Sequence, residues 1–156
     1  MTRVLKARKG GFTLVELLIV IIIIAILAGM LLLTTGAATD RAEATKIIND
    51  LRNMKSATLM CYVDERLWPI GSESTPGGLN GLIASLSKYM DRSFDFKYTK
   101  VEVKEIGDDA FGGFTLDASV KAGTKAKLKD SAKDAGLYTD TGAVYDGGDK
   151  VYMSIR

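Results

Sequence analysis

The sequence predicts an α+β fold. A long N-terminal α-helical spine, membrane-spanning in its first half, carries a small antiparallel β-sheet head packed on its C-terminal half. Three observations point there. Phe12 to Leu33 is a run of 22 residues with one ionisable group, Glu16. From Asp40 to Glu65 apolar residues recur at helical spacing. Beyond residue 66 the chain breaks into short alternating runs, and most of the 16 glycines and both prolines fall there.

As a helix rising about 1.5 Å per residue, the apolar run reaches roughly 33 Å, enough to cross a hydrocarbon core. The segment before it holds Arg3, Lys6, Arg8 and Lys9 and no acid. The positive-inside rule therefore keeps the N-terminus cytoplasmic and sends everything after Leu33 across the membrane. A secretory signal peptide shares the basic start, with Gly36-Ala37-Ala38 as its cleavage site. Its apolar region, however, is only about 7–15 residues, and here Glu16 interrupts the beginning. A plain anchor leaves Glu16 and the preceding glycine unexplained. A carboxylate at that depth is costly unless paired or protonated. With no other charge between residues 12 and 33, its partner is expected from a chain terminus or another chain. The alternative is a protonated or snorkelling side chain near the interface.

In the next stretch Ala44, Ile47, Ile48, Leu51, Met54, Thr58, Cys61 and Tyr62 form one stripe, with Arg41, Lys46, Asp50, Arg52 and Lys55 mostly off it. Trp68-Pro69 limits the helix. A helix from Phe12 to about Glu65 would be about 80 Å long. Its first half must then bury apolar surface in lipid or among neighbouring copies. In the head, Ile70 to Gly81 reads as a turn-rich loop broken by Gly71, Pro76, Gly77 and Gly78. Leu79 to Met90 is expected as a short helix and Phe96 to Glu105 as a strand. Gly107-Asp108-Asp109 is expected as a turn and Phe114 to Val120 as the returning strand. Thr124 to Ala135 is open between helix and loop. Ala143-Val144-Tyr145 and Val151 to Ile155, joined by Gly147-Gly148, are expected as a terminal hairpin.

Nothing in the composition points to catalysis. Histidine is absent, so no imidazole base or ligand exists. Cys61 is the sole cysteine, which excludes an intrachain disulfide, and it lies on the buried stripe as a packing thiol. Gly112-Gly113 and Gly147-Gly148 read as isolated turn pairs. Asp140, Asp146 and Asp149 on a glycine-rich loop offer oxygen ligands of the kind calcium takes, but their spacing matches no calcium motif and turns favour aspartate anyway. Lys121, Lys125, Lys127, Lys129 and Lys133 offer a basic stretch to DNA phosphates. Asp130 and Asp134 dilute it, and a solvated face is favoured. Trp68 is expected to pack below the long helix.

The run Lys9-Gly10-Gly11-Phe12-Thr13-Leu14-Val15-Glu16-Leu17, between a basic leader and a long apolar helix, resembles the processing site of type IV prepilins and the related pseudopilins of type II secretion. The resemblance is close over residues 1–65 and architectural beyond. It implies a leader peptide over 1–11, a transmembrane and assembly helix over 12–35, an amphipathic half over 36–66 and a β-rich head over 67–156. A prepilin peptidase would cut between Gly11 and Phe12, the new N-terminal Phe12 would be N-methylated, and Glu16 would meet the N-terminal amine of a neighbouring subunit. Losing the four leader cations leaves 17 Lys+Arg against 19 Asp+Glu and moves the net charge from +2 to −2.

The implied function is structural: a subunit of an extracellular filament for adhesion, twitching motility or attachment, not an enzyme. Alternatives are a pseudopilin, whose major forms hold calcium in the C-terminal region, and a DNA-uptake pilin. Implied partners are identical subunits, the peptidase, an inner-membrane assembly platform with its ATPase, and membrane lipid before assembly. The precursor would sit in the inner membrane and the filament outside the cell. Two departures stand out. Many pilins carry a proline in mid-helix where this chain has Leu33, so either a continuous helix or a softening around Gly29 to Gly36 is expected. Many also clip the C-terminal region with a disulfide, which one cysteine cannot form.

Overall fold

A computed structural model describes residues 11–74, 81–90 and 97–155. The basic residues of the leader lie outside the described residues, as do Pro76, Gly77, Gly78 and Phe96.

The first element, α1, is a helix of 52 residues, Leu14–Glu65. No break occurs where a softening was one expectation: Gly29, Thr34, Thr35 and Gly36 are all helical. Without proline the i→i−4 ladder has no obligatory gap there. The chain divides after Gly36 into two units. In the first unit the side chains described along α1 are all exposed, from Leu14 at 87% to Val20 at 47%.

In the second unit α1 supplies one wall of the core. Ala44, Ile47, Ile48, Leu51, Met54, Thr58 and Cys61 are buried, as the periodicity predicts, and Ala57 is buried beside them. Each large apolar side chain removed from water in this way contributes about 2–3 kcal/mol before entropy is counted. Two residues depart from the stripe. Asp50, expected mostly off it, is buried because the Tyr98 hydroxyl donates to its Oδ2 at 2.7 Å. Tyr62 lies further out and stacks on Trp68 with ring centroids 4.2 Å apart, which also fixes Trp68 beside the end of α1. The helix stops at Arg66, whose φ of 59° is left-handed, and whose N–H bonds the Tyr62 carbonyl at 2.8 Å.

Opposite α1 stands a five-stranded antiparallel sheet in the order β1-β2-β3-β5-β4. Its members are β1 (Gly71–Ser74), β2 (Tyr98–Ile106), β3 (Asp109–Leu116), β4 (Leu137–Tyr138) and β5 (Lys150–Ser154). Val101, Val103, Ala110, Phe114, Leu116, Val151 and Met153 join the α1 stripe in one core. Tyr98 and Phe114 stack there at 4.1 Å. Helices α2 (Leu82–Ser87), α3 (Ala122–Asp130) and α4 (Ala132–Ala135) complete the unit, so the lysine-rich stretch is helical apart from a break at Ser131.

Three boundaries differ from expectation. The segment taken as all loop after Ile70 begins with β1, a polar strand held by backbone pairing to β2 from Gly71↔Val103 to Ser74↔Lys100. The strand expected at Phe114 to Val120 starts five residues earlier. Ile106 pairs Asp109 directly across a two-residue turn, with Gly107 at φ +64°. Gly112-Gly113 therefore lies inside β3 and is no turn. The terminal hairpin does not form. Strand β5 inserts between β3 and β4, with Phe114↔Val151 on one side and Tyr138↔Tyr152 on the other. Val144 instead bridges Tyr138.

Candidate functional site

At the start of α1, Gly11, Phe12 and Thr13 precede the first helical residue, Leu14. Thr13 occupies the N-cap position and Glu16 the third helical position. The Glu16 N–H donates to Thr13 Oγ1 at 3.2 Å. In return Glu16 Oε2 accepts from the Thr13 N–H at 2.8 Å and from its hydroxyl at 2.7 Å. This is a capping box, which satisfies two of the amide donors that any helix start leaves unpaired. Threonine followed three residues later by glutamate, just before an apolar run, is its sequence signature.

The capping role of Thr13 is legible in that spacing, whereas Glu16 taken as a charge alone gives no sign of it. Among the described residues of one chain, Glu16 pairs with Thr13 in its own first turn. Phe12 is 87% exposed. A Cβ added to Gly11 would meet nothing within 4 Å, so nothing among the described residues demands glycine there.

Beyond the capping box, α1 presents an apolar surface long enough to cross a membrane, with none of it buried. The other residues singled out in the sequence are placed as follows. Cys61 is buried, and burial, with Glu65 and Asp64 adding, pushes its thiol up, away from the thiolate. Asp140 accepts from Lys150 at 2.8 Å, a contact that holds its carboxyl below the usual range. Asp149 pairs with Lys125, and Asp146 accepts the Gly148 N–H at 3.2 Å. These three aspartates thus serve two lysines and a turn, and among the described residues no group of three metal-ligating side chains converges. Of the five lysines, Lys125 and Lys127 have carboxylate partners, the latter in Asp130 at 3.3 Å.

Comparison with known proteins finds a sequence motif and a fold. Residues 6–32 match the prokaryotic N-terminal methylation motif. The structure is similar to that of the major type IV pilin PilA1 from Clostridium difficile, with a TM-score of 0.52 at 19% identity, covering 76% of this chain and 98% of that one. No curated protein is significantly similar in sequence. The chain thus has a prokaryotic N-terminal methylation motif on a type IV pilin fold.

Proposed function

We propose that the chain is a structural subunit of a type IV pilus-like extracellular filament, serving adhesion, twitching motility or attachment. The carrying observation is the methylation motif on a helix whose first half is apolar and exposed on every described side. Such a surface has to be covered, first by lipid and then by the same helices of neighbouring copies. Prepilin peptidase would cut between Gly11 and Phe12, and Phe12 would be N-methylated. Two features support that cut. Gly11 and Phe12 stay outside the helix, and among the described residues nothing requires the glycine, which suits a demand made by the enzyme's cleft.

After cleavage the Phe12 amine and Glu16 would lie about one helical turn apart. In the filament Glu16 would exchange part of its Thr13 pairing for the amine of a neighbour, a charge pair in a low-dielectric setting. Identical subunits, the assembly platform and its ATPase are the partners of this process, and the mature filament lies outside the cell.

The test is electron microscopy of sheared surface material with N-terminal sequencing of the same fraction. Long fibres whose subunit starts at methylated Phe12 are expected. A chain cut there but confined to the membrane, without fibres, would assign it to the pseudopilins instead. In the same assay Glu16→Ala should be cut normally and yield at least tenfold fewer fibres. Fibre yield equal to wild type would remove Glu16 from assembly.

A further inference from the structure

In the second unit the large apolar side chains that stay exposed are gathered in one stretch. Leu59, Met60, Tyr62 and Val63 on the last turns of α1, and Leu67 and Ile70 just past its end, are between 36% and 72% exposed. Among the described residues of that unit, Val144 alone lies elsewhere. At about 100° per residue the four helical positions share an arc of about 160°, roughly opposite the buried Ala57, Thr58 and Cys61. Tyr62 is held in this arc by its stack on Trp68. The charges beside the patch cancel, Asp64 and Glu65 against Arg66 and Lys88.

We propose that this patch is a contact between copies of the chain, seated in the filament on a different face of the next copy. The proposal rests on the filament reading and adds a surface that joins the heads. Scaled by their exposure, the six side chains offer on the order of 500 Å² of apolar surface, towards the upper end of what an ordinary monomer leaves uncovered. A stable pair in solution takes about 800 Å² from each partner. The patch is therefore too small to hold a dimer by itself. It is large enough to serve as one contact among several in a polymer, where each contact makes the others effectively intramolecular. Methionine and the aromatic pair beside it are side chains enriched at the centre of protein interfaces. DNA or an anionic lipid surface would call for an excess of cations, which the balanced rim does not supply. Copies related by one repeated screw operation bring unlike faces together, so the patch meets another surface and not itself.

The test makes Val63→Cys in the full chain and follows maleimide labelling in detergent-solubilised subunits and in sheared fibres, with the buried Cys61 of the unaltered chain as blank. Labelling should be at least tenfold slower in fibres. Leu67→Asp, at a position 72% exposed, should leave cleavage at Phe12 and thermal unfolding unchanged and lower fibre yield at least tenfold, while Leu67→Met keeps the yield. Equal labelling rates in the two states, or full fibre yield from Leu67→Asp, overturn the proposal alone. Wild type that forms no fibres overturns the filament reading, and the proposal with it. A disulfide joining two Val63→Cys chains through the introduced thiols in solution would make the patch a twofold dimer face. Protection on cells that disappears in purified fibres would give it to a different partner. Either result overturns the contact between copies in the fibre.

Discussion

Gly112 and Gly113 are adjacent in β3 and are required on opposite faces of the sheet. A Cβ on Gly112 would come within 2.4 Å of the Met54 methyl from α1, while one on Gly113 would come within 2.1 Å of the Tyr152 ring. Tyr152 lies across Gly113 to donate its hydroxyl to Glu102 at 2.8 Å, with the Lys104 ammonium 4.4 Å from its ring centroid. Since a methionine terminus can swing aside and a packed ring cannot, Gly112→Ala should cost about 1 kcal/mol and Gly113→Ala about 3. Chemical denaturation of the detergent-solubilised chain would read the difference, and equal losses would refute it. Tyr145 sets a pH limit. Its hydroxyl donates to the Gly148 carbonyl at 2.6 Å, and burial, with Asp146 and Asp149 adding, pushes it up to about 12. The folded value lies above the unfolded value of about 10, so its contribution is complete below pH 10 and is lost as pH rises towards 12. Tyr145→Phe should flatten stability over that window in an alkaline titration followed by tyrosinate absorbance. At the N-terminus, Thr13→Val should cost the first turn of α1 about 1 kcal/mol, measured as faster amide exchange at residues 15–17.

Among the elements, the docking of α3 on α1 depends on chemistry that hydropathy does not register. Glu43 of α1 accepts the Thr124 hydroxyl at 2.6 Å and pairs with Lys97, while Asp40 packs on Gly123. Both carboxylates thus face the first turn of α3, where the helix dipole favours negative charge. Burial opposes ionisation of Glu43, but Lys97 and Thr124 outweigh it and hold its carboxyl below the usual range. Gly123→Ala would put a Cβ 2.0 Å from Asp40 Oδ2. It should loosen α3 and cost about 2 kcal/mol, although alanine is the better helix former. A gain in thermal stability would show that the contact relaxes freely. The same chemistry explains what the sequence left hidden. The α1 stripe was legible from its 3.6-residue period. Strand β1 was not, because Gly-Ser-Glu-Ser has no alternation and forms only when β2 offers its edge. The early start of β3 was masked by a glycine pair whose usual meaning is a turn and whose reason here is Met54 and Tyr152. Asp50 looked like a surface charge until Tyr98, 48 residues away, supplied its partner.

For the molecule as a whole, the N-terminal segment and the head were legible to different degrees, and for a physical reason. The demands on residues 11–33 are local: one glycine, one cap, one carboxylate and a continuous apolar run. The head's demands are long-range, since strand order depends on which edges remain free, and no short window of residues contains that. The clearest case is β5. It is the latest strand in chain order, yet it stands inside the sheet, and among the described residues β4 pairs with no other strand. Such a sheet cannot be closed as the chain emerges. Strands β1, β2 and β3 are adjacent in chain order, but β4 reaches the sheet only through β5. The β3–β5 pairing closes the longest loop between paired strands described in this sheet, a contact of high sequence separation. With a single cysteine and so no disulfide within the head, β5 is the latch of the sheet: its removal would part β4 from β3.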